Sequence, residues 1–325
     1  APIPFSRRPT TPRTLASRRT FLTAAATSSA ALALPPPARA ETAPGAPGGR
    51  FRFALNAATI RGYNLPLGEQ IDLAIQAGYA GFEPWSSDIA KAAETGGALA
   101  DLAKRCADGG LSIISAIGFA AWAVDDDAQR AKGLEQLKRE MDLVRQLGGS
   151  HIAASPAGVN RTEVTLDLDR AAERYRAVLE LGRSMGVTPQ LEFWGASANL
   201  SRLDQCLYVA ARAGHPDACI LADVFHIYRG GSDPAALRLL SRSAAFCFHM
   251  NDYPAAPERG QLKDSDRVWP GDGAAPIGDM LRAFADNRAD VWLSIELFNA
   301  AYWRRPAAET ARTGLDKMRA AVATL

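Results

Sequence analysis

The chain has 325 residues, 47% hydrophobic and 22% charged, with a formal net charge of +2, so its length admits one large α/β barrel or two ordinary domains. A near-neutral balance offers a nucleic-acid partner little, and four cysteines (Cys106, Cys206, Cys219, Cys247) without Cys-x-x-Cys spacing argue against a disulfide framework. They read as small apolar core residues.

Residues 1–40 carry six arginines and no acidic residue, and a small apolar stretch from Ala24 to Leu34 precedes Pro35-Pro-Pro-Ala-Arg-Ala40, an Ala-x-Ala cleavage pattern. This reads as an export signal. Within it, Ser17-Arg-Arg-Thr-Phe-Leu22 resembles the twin-arginine family of signals, which carry folded proteins; a periplasmic location, with the twin-arginine export machinery as a partner, is the expectation. The bland alternative is a low-complexity N-terminus with a chance arginine pair. The apolar stretch is too short to span a bilayer, and neither a lipid anchor nor a later transmembrane segment is expected. Without residues 1–40, thirty-seven basic residues less six leave 31 against 35 acidic, a net charge of −4, which suits a phosphate backbone poorly. Residues 41–50, rich in Pro, Gly and Ala, read as a flexible leader, and the fold begins at Phe51.

From there strand-like runs alternate with Ala/Leu/Arg-rich helical patterns. Strands are predicted over 52–57, 80–84, 112–118, 151–155, 187–193, 218–223, 244–250 and 291–297, and helices over 67–77, 89–108, 128–147, 168–185, 203–213, 234–242, 277–287 and 307–323. Glycines such as Gly78, Gly186 and Gly214 stop helices ahead of the next strand. Eight βα units predict one α/β domain over 51–325, a closed (β/α)8 TIM barrel, and no glycine-rich phosphate loop is present. The longest stretch without a helical pattern, 251–276, follows strand seven; a loop that long reads as functional.

Four strand-end residues carry the chemistry. Glu192, Asp223, His249 and Glu296 each stand where an apolar run gives way to loop formers, on four consecutive predicted strands, so they converge at the C-terminal mouth. Three carboxylates and one imidazole suit one divalent ion, Mn²⁺ first and Mg²⁺ or Co²⁺ next, better than tetrahedral zinc. Such an ion can polarise a ketone and stabilise the enediolate left by loss of the neighbouring proton. Each acid has a rival reading as the cap of the helix that follows it. Glu83, Trp122, Trp194 and Arg229 are further candidates for substrate contact, alongside Trp85 and Phe298; His151 and His215 fall at the opposite rim and read as structural.

These residues resemble the xylose isomerase-like TIM-barrel superfamily, over Phe51 to the C-terminus. The resemblance implies Glu, Asp, His and Glu ligands from strands five to eight, matched in order by Glu192, Asp223, His249 and Glu296, and a histidine three residues past the aspartate, matched by His226. By the same resemblance Glu192 and Glu296 flank the reacting carbon, one taking a proton and the other returning it, and His226 positions a substrate oxygen. Two positions depart from the ketose 3-epimerase pattern: Ala198 replaces a Glu and Ala255 an Arg, with Arg259 or Arg267 of the long loop as substitutes. The implied activity is isomerisation or epimerisation of an unphosphorylated sugar or keto-sugar. Elimination from a 3-keto sugar or cyclic polyol is the runner-up, and a non-catalytic sugar-binding barrel or an endonuclease IV-like repair enzyme ranks lower. Monomer and homo-oligomer are both compatible with the sequence.

Overall fold

The computed structural model describes residues 51–95, 98–287 and 289–325. The export signal and leader expected over 1–50 lie outside the described residues.

Eight short strands form the sheet: β1 (Phe51–Asn56), β2 (Gly81–Glu83), β3 (Ser112–Ile113), β4 (His151–Ala154), β5 (Thr188–Glu192), β6 (Ile220–Asp223), β7 (Cys247–Met250) and β8 (Val291–Ile295). Every ladder is parallel and the order is β3-β2-β1-β8-β7-β6-β5-β4. Past β3 the chain turns to the far edge: the Ala116 amide donates to His151 O at 3.1 Å and the Ala153 amide to Ala116 O at 2.8 Å. Those two bonds close the ring, and the expected TIM barrel is the fold found. They also explain why β3 is shorter than the apolar run 112–118 predicts, since residues beyond Ile113 divide their bonds between β2 and β4.

The barrel interior is filled by Ala54, Ile114, Ile117, Ala153, Leu221, Cys247 and Trp292, a packed plug rather than a pore. Gly81 makes this plug fit, because a Cβ there would stand 2.7 Å from the Trp292 ring and 2.8 Å from Ile114. A larger apolar cluster lies between sheet and helices. All four cysteines are free and buried.

The outer helices are α1 (Leu67–Ala77), α2 (Ser86–Glu94), α3 (Leu99–Asp108), α4 (Asp127–Gln146), α5 (Leu168–Met185), α6 (Leu203–Ala213), α7 (Val224–Gly230), α8 (Ile277–Asp286) and α9 (Ala307–Val322). Two differ from the sequence expectation. The single helix over 89–108 is the pair α2 and α3, on either side of Gly96-Gly97, residues that tolerate helix poorly. The helix over 234–242 is a 3₁₀ helix, Pro234–Leu239, while α7 starts directly after β6 because Asp223 caps it and Gly231, at φ 76°, ends it. Among the described residues no helix is long and apolar enough to cross a membrane.

Candidate metal centre and substrate cavity

The C-terminal ends of the strands deliver the candidate residues to one place. Asp223, last in β6, uses its two oxygens differently. Oδ1 accepts the His226 amide at 2.7 Å and caps α7, whereas Oδ2 faces inward and accepts from Asn251 Nδ2 at 2.8 Å and Arg267 Nη1 at 3.0 Å. The rival reading as a helix cap accounts for one oxygen, and the other is left facing the mouth.

His249, in β7, is fully buried. Its Nε2 lies 3.0 Å from Glu83 Oε2, an oxygen that also accepts from Asn56 Nδ2 (2.9 Å) and Ser294 Oγ (2.7 Å). A carboxylate crowded by donors fixes the ring as the Nε2–H tautomer and aims Nδ1 at the mouth. There Nδ1 stands 3.1 Å from Glu296 Oε2 and 3.8 Å from Asp223 Oδ2, without a hydrogen bond of acceptable geometry. Burial disfavours charge on the ring, but Glu296 and Glu83 outweigh it and hold its pKa well above the ordinary value.

One ligand atom each from Asp223, His249 and Glu296 lies within 4.8 Å of the others, all three residues being buried. Without a cation between them, His249 Nδ1 and the two carboxylate oxygens are held together by a proton on the ring; a dication replaces that proton, and the O/O/N set suits Mn²⁺, Mg²⁺ or Co²⁺. These residues therefore fit a metal. Glu192, expected as the fourth ligand, is not part of this cluster. It lines the adjoining cavity, and its buried Oε2 has no hydrogen-bond partner. Burial, reinforced by Glu296 and Asp223 and opposed by His249, pushes its carboxyl up to about 8. Glu296 behaves oppositely: burial acts upward, but His249 and Arg267 hold it well below the usual carboxylate range. Two acids at one mouth are thus divided into a protonatable one and a permanently charged one.

The cavity holds about 210 Å³. Trp85, Phe119, Trp194 and Phe298 form its apolar side, with ring centroids 5.0 Å apart for Trp85–Phe119 and 6.1 Å for Phe119–Trp194. Glu192, Glu296, His226 and Arg267 form its polar side. A larger cavity, about 410 Å³ near Leu65, Lys91 and Leu102, lies among α1, α2 and α3 and lacks such converging acid and imidazole groups.

Four expected substrate contacts sit elsewhere. Trp122 is 1% exposed, donates to Ser155 O at 2.8 Å and packs on Tyr175; it is a core residue, fixed there by its need for an acceptor. Glu83 anchors His249 instead of lining the cavity. Arg229 donates to Leu262 O at 3.1 Å and ties down the long loop, and Arg259 is exposed on that loop, outside the cavity. Arg267 and Trp194 do line it. Sequence reasoning missed Asn251, which holds both Asp223 and the start of α7 (Phe225 amide to Oδ1, 2.9 Å), and Asp252, whose carboxylate accepts four backbone amides of the loop. The one available signal was the Asn-Asp pair directly after strand seven.

An eight-stranded barrel whose C-terminal mouth gathers two acids and an imidazole beside an aromatic cavity defines the class: a TIM barrel with a candidate metal centre. Residues 71–321 match the xylose isomerase-like TIM barrel family, and the chain belongs to that family. It is 27% identical over 191 residues to the inosose isomerase of Bacillus velezensis, covering 58% of this chain and 68% of that protein. It is 25% identical over 259 residues to the 3-dehydroshikimate dehydratase of Pseudomonas aeruginosa, covering 78% of this chain but only 39% of that longer protein. A crystal structure of the IolI protein with a bound zinc atom superimposes with a TM-score of 0.78 at 22% identity, covering 84% of this chain and 98% of that one.

Proposed function

We propose that the chain is a divalent-metal-dependent isomerase of an unphosphorylated keto-sugar or cyclic keto-polyol. The observation that supports this reading is the arrangement at the mouth: Asp223, His249 and Glu296 cluster closely enough to share an ion, while Glu192 stands outside the cluster in the adjoining cavity with an unbonded oxygen. A bound ion, Mn²⁺ on the donor set, supplies a Lewis acid for the substrate carbonyl. Glu192, in the charged form that a neighbouring dication favours, takes the proton next to the carbonyl and returns it to the neighbouring carbon. His226 and Arg267 hold substrate oxygens, and the aromatic side packs against the ring while excluding water. Glu296, 3.1 Å from His249 Nδ1 and one of the candidate ligands, is suited to holding charge rather than to returning protons.

Elimination is the second reading. A single free carboxylate can remove a proton and pass it to a departing β-hydroxyl on the same face, and the similarity to a dehydratase supports that use of the site. Incubation with keto-cyclitols and 3-keto sugars in D₂O separates the two: isomerisation yields a labelled or internally transferred isomer, and elimination a conjugated enone seen in the ultraviolet. Glu192→Gln is expected to lower turnover by roughly 10²–10⁴-fold with metal content retained, and unchanged turnover would remove Glu192 from the mechanism. For the first forty residues we propose twin-arginine export to the periplasm, tested by fractionating cells that express the chain with Arg18 and Arg19 replaced by lysine.

A further inference from the structure

Arg267 comes from the long connection after β7, yet its side chain is 1% exposed. Nη1 donates at 2.8 Å to Glu296 Oε2 and at 3.0 Å to Asp223 Oδ2. These are the oxygens that stand 3.1 Å and 3.8 Å from His249 Nδ1, so a guanidinium N–H and a dication ask for the same lone pairs.

The rest of the guanidinium is incompletely satisfied. Nε is buried without a partner. Nη2 faces His226 Nε2 at 3.1 Å, but His226 Nδ1 is already offered the Gly195 amide at 3.2 Å. A neutral imidazole accepts at one nitrogen and donates at the other, so one of these two contacts sets donor against donor. One partner is left that an ion would not contest: Asp264 Oδ1, 2.7 Å from Nη2, on a side chain that is 52% exposed. Beyond it Phe225 and Phe298 lie 4.8 Å and 5.2 Å from the guanidinium carbon, and Phe298 and Asp264 both line the cavity.

We propose that Arg267 is an internal counter-cation of the metal-free centre, displaced from Asp223 and Glu296 when a divalent ion binds. Still tethered to Asp264, the freed guanidinium turns into the cavity and presents its N–H groups to substrate oxygens. Metal loading and assembly of the substrate site are then one event, and part of the ion's binding energy is spent on moving the arginine. This rests on the metal reading above.

The sign of one measurement decides it. Metal-free full-length protein is titrated with Mn²⁺ by calorimetry, as wild type and as Arg267→Met. Competition predicts that Arg267→Met binds the ion more tightly, by roughly tenfold or more, the scale of one charge-assisted bond released. An arginine that braces the two carboxylates alongside the ion predicts weaker binding, and that result overturns the proposal. Arg267→Gln, neutral and of similar length, serves if the methionine variant does not fold, with the same expected sign. The second readout is hydrogen exchange across 264–269, which Mn²⁺ should speed in wild type and leave unchanged in either variant; no change in wild type also overturns it. If wild type and both variants bind no divalent ion, the metal reading falls together with this one, whereas tight wild-type binding that the variants weaken sinks the arginine proposal alone.

Discussion

At the scale of single residues, the centre shows how a strand-end side chain acquires a role from what stands behind it. His249 can face an ion through Nδ1 because Glu83, itself held by Asn56 and Ser294, occupies Nε2. Weakening that brace should act on the metal rather than on the fold. Glu83→Gln is expected to lower Mn²⁺ affinity by about 10–100-fold, measured by competition with a chelator, with a smaller effect on thermal unfolding. The four strand-end positions were legible because acids and a histidine interrupt apolar runs, a pattern with few structural explanations. Their partners were not. Glu83 looks from sequence like any other strand-end acid, and nothing in 264–269 announces that Arg267 folds back 1% exposed onto Asp223 and Glu296.

At the scale of elements, the connection between β7 and α8 is organised by one carboxylate. Asp252 is 1% exposed; its Oδ1 accepts the amides of Tyr253 (2.8 Å) and Ala275 (2.9 Å), and its Oδ2 those of Gly271 (3.0 Å) and Gly273 (3.1 Å). Paired main-chain bonds of 2.9 Å between Asp252 and Val268 fix the segment that carries Arg267. Gly273 is required here, because a Cβ would lie 2.2 Å from Tyr253 O. Asp252→Ala strands four donors and is expected to cost about 2–4 kcal/mol in urea unfolding, to speed proteolysis within 251–276 and to remove Arg267 from the site. Loop length pointed to function, but which atom knots a loop together depends on contacts up to 23 residues apart. The missed helix α7 has a similar origin: seven residues are too few for a periodic signal, and its existence rests on the Asp223 cap and on Asn251, directly after β7.

At the scale of the whole molecule, the two rims of the barrel respond to acid for different reasons. His151, on the rim opposite the site, stacks on Phe246 with centroids 3.5 Å apart, and burial pushes its pKa from 6.5 down to about 3. Between those values the unfolded chain binds a proton that the folded ring refuses. Its contribution to stability is therefore complete above pH 6.5 and lost as pH falls toward 3. At ~1.4 kcal/mol per unit, discounted for a ring that is only partly covered, the loss amounts to a few kcal/mol. His151→Phe, which keeps the stack, should flatten that part of the stability profile in urea titrations run at steps of pH; an unchanged slope would assign the acid limb to the carboxylates of the mouth.

The closure through Ala116 has a mechanical corollary. In a ring of staves joined by ladders on seven sides and by two main-chain hydrogen bonds on the eighth, the eighth is expected to yield first. Beside that seam, past the end of β3, Ile117 bridges to Trp85 from the β2 side and Phe119 follows, so one flank of the joint carries part of the apolar bank of the cavity. Asp223, His249 and Glu296 stand on the stiff side, three neighbouring staves away from it. A joint that parts this way would change the girth of the opening while leaving the spacing of Asp223, His249 and Glu296 fixed, and amide exchange at Ala116 and Ala153 should outpace that of every ladder between β5 and β8.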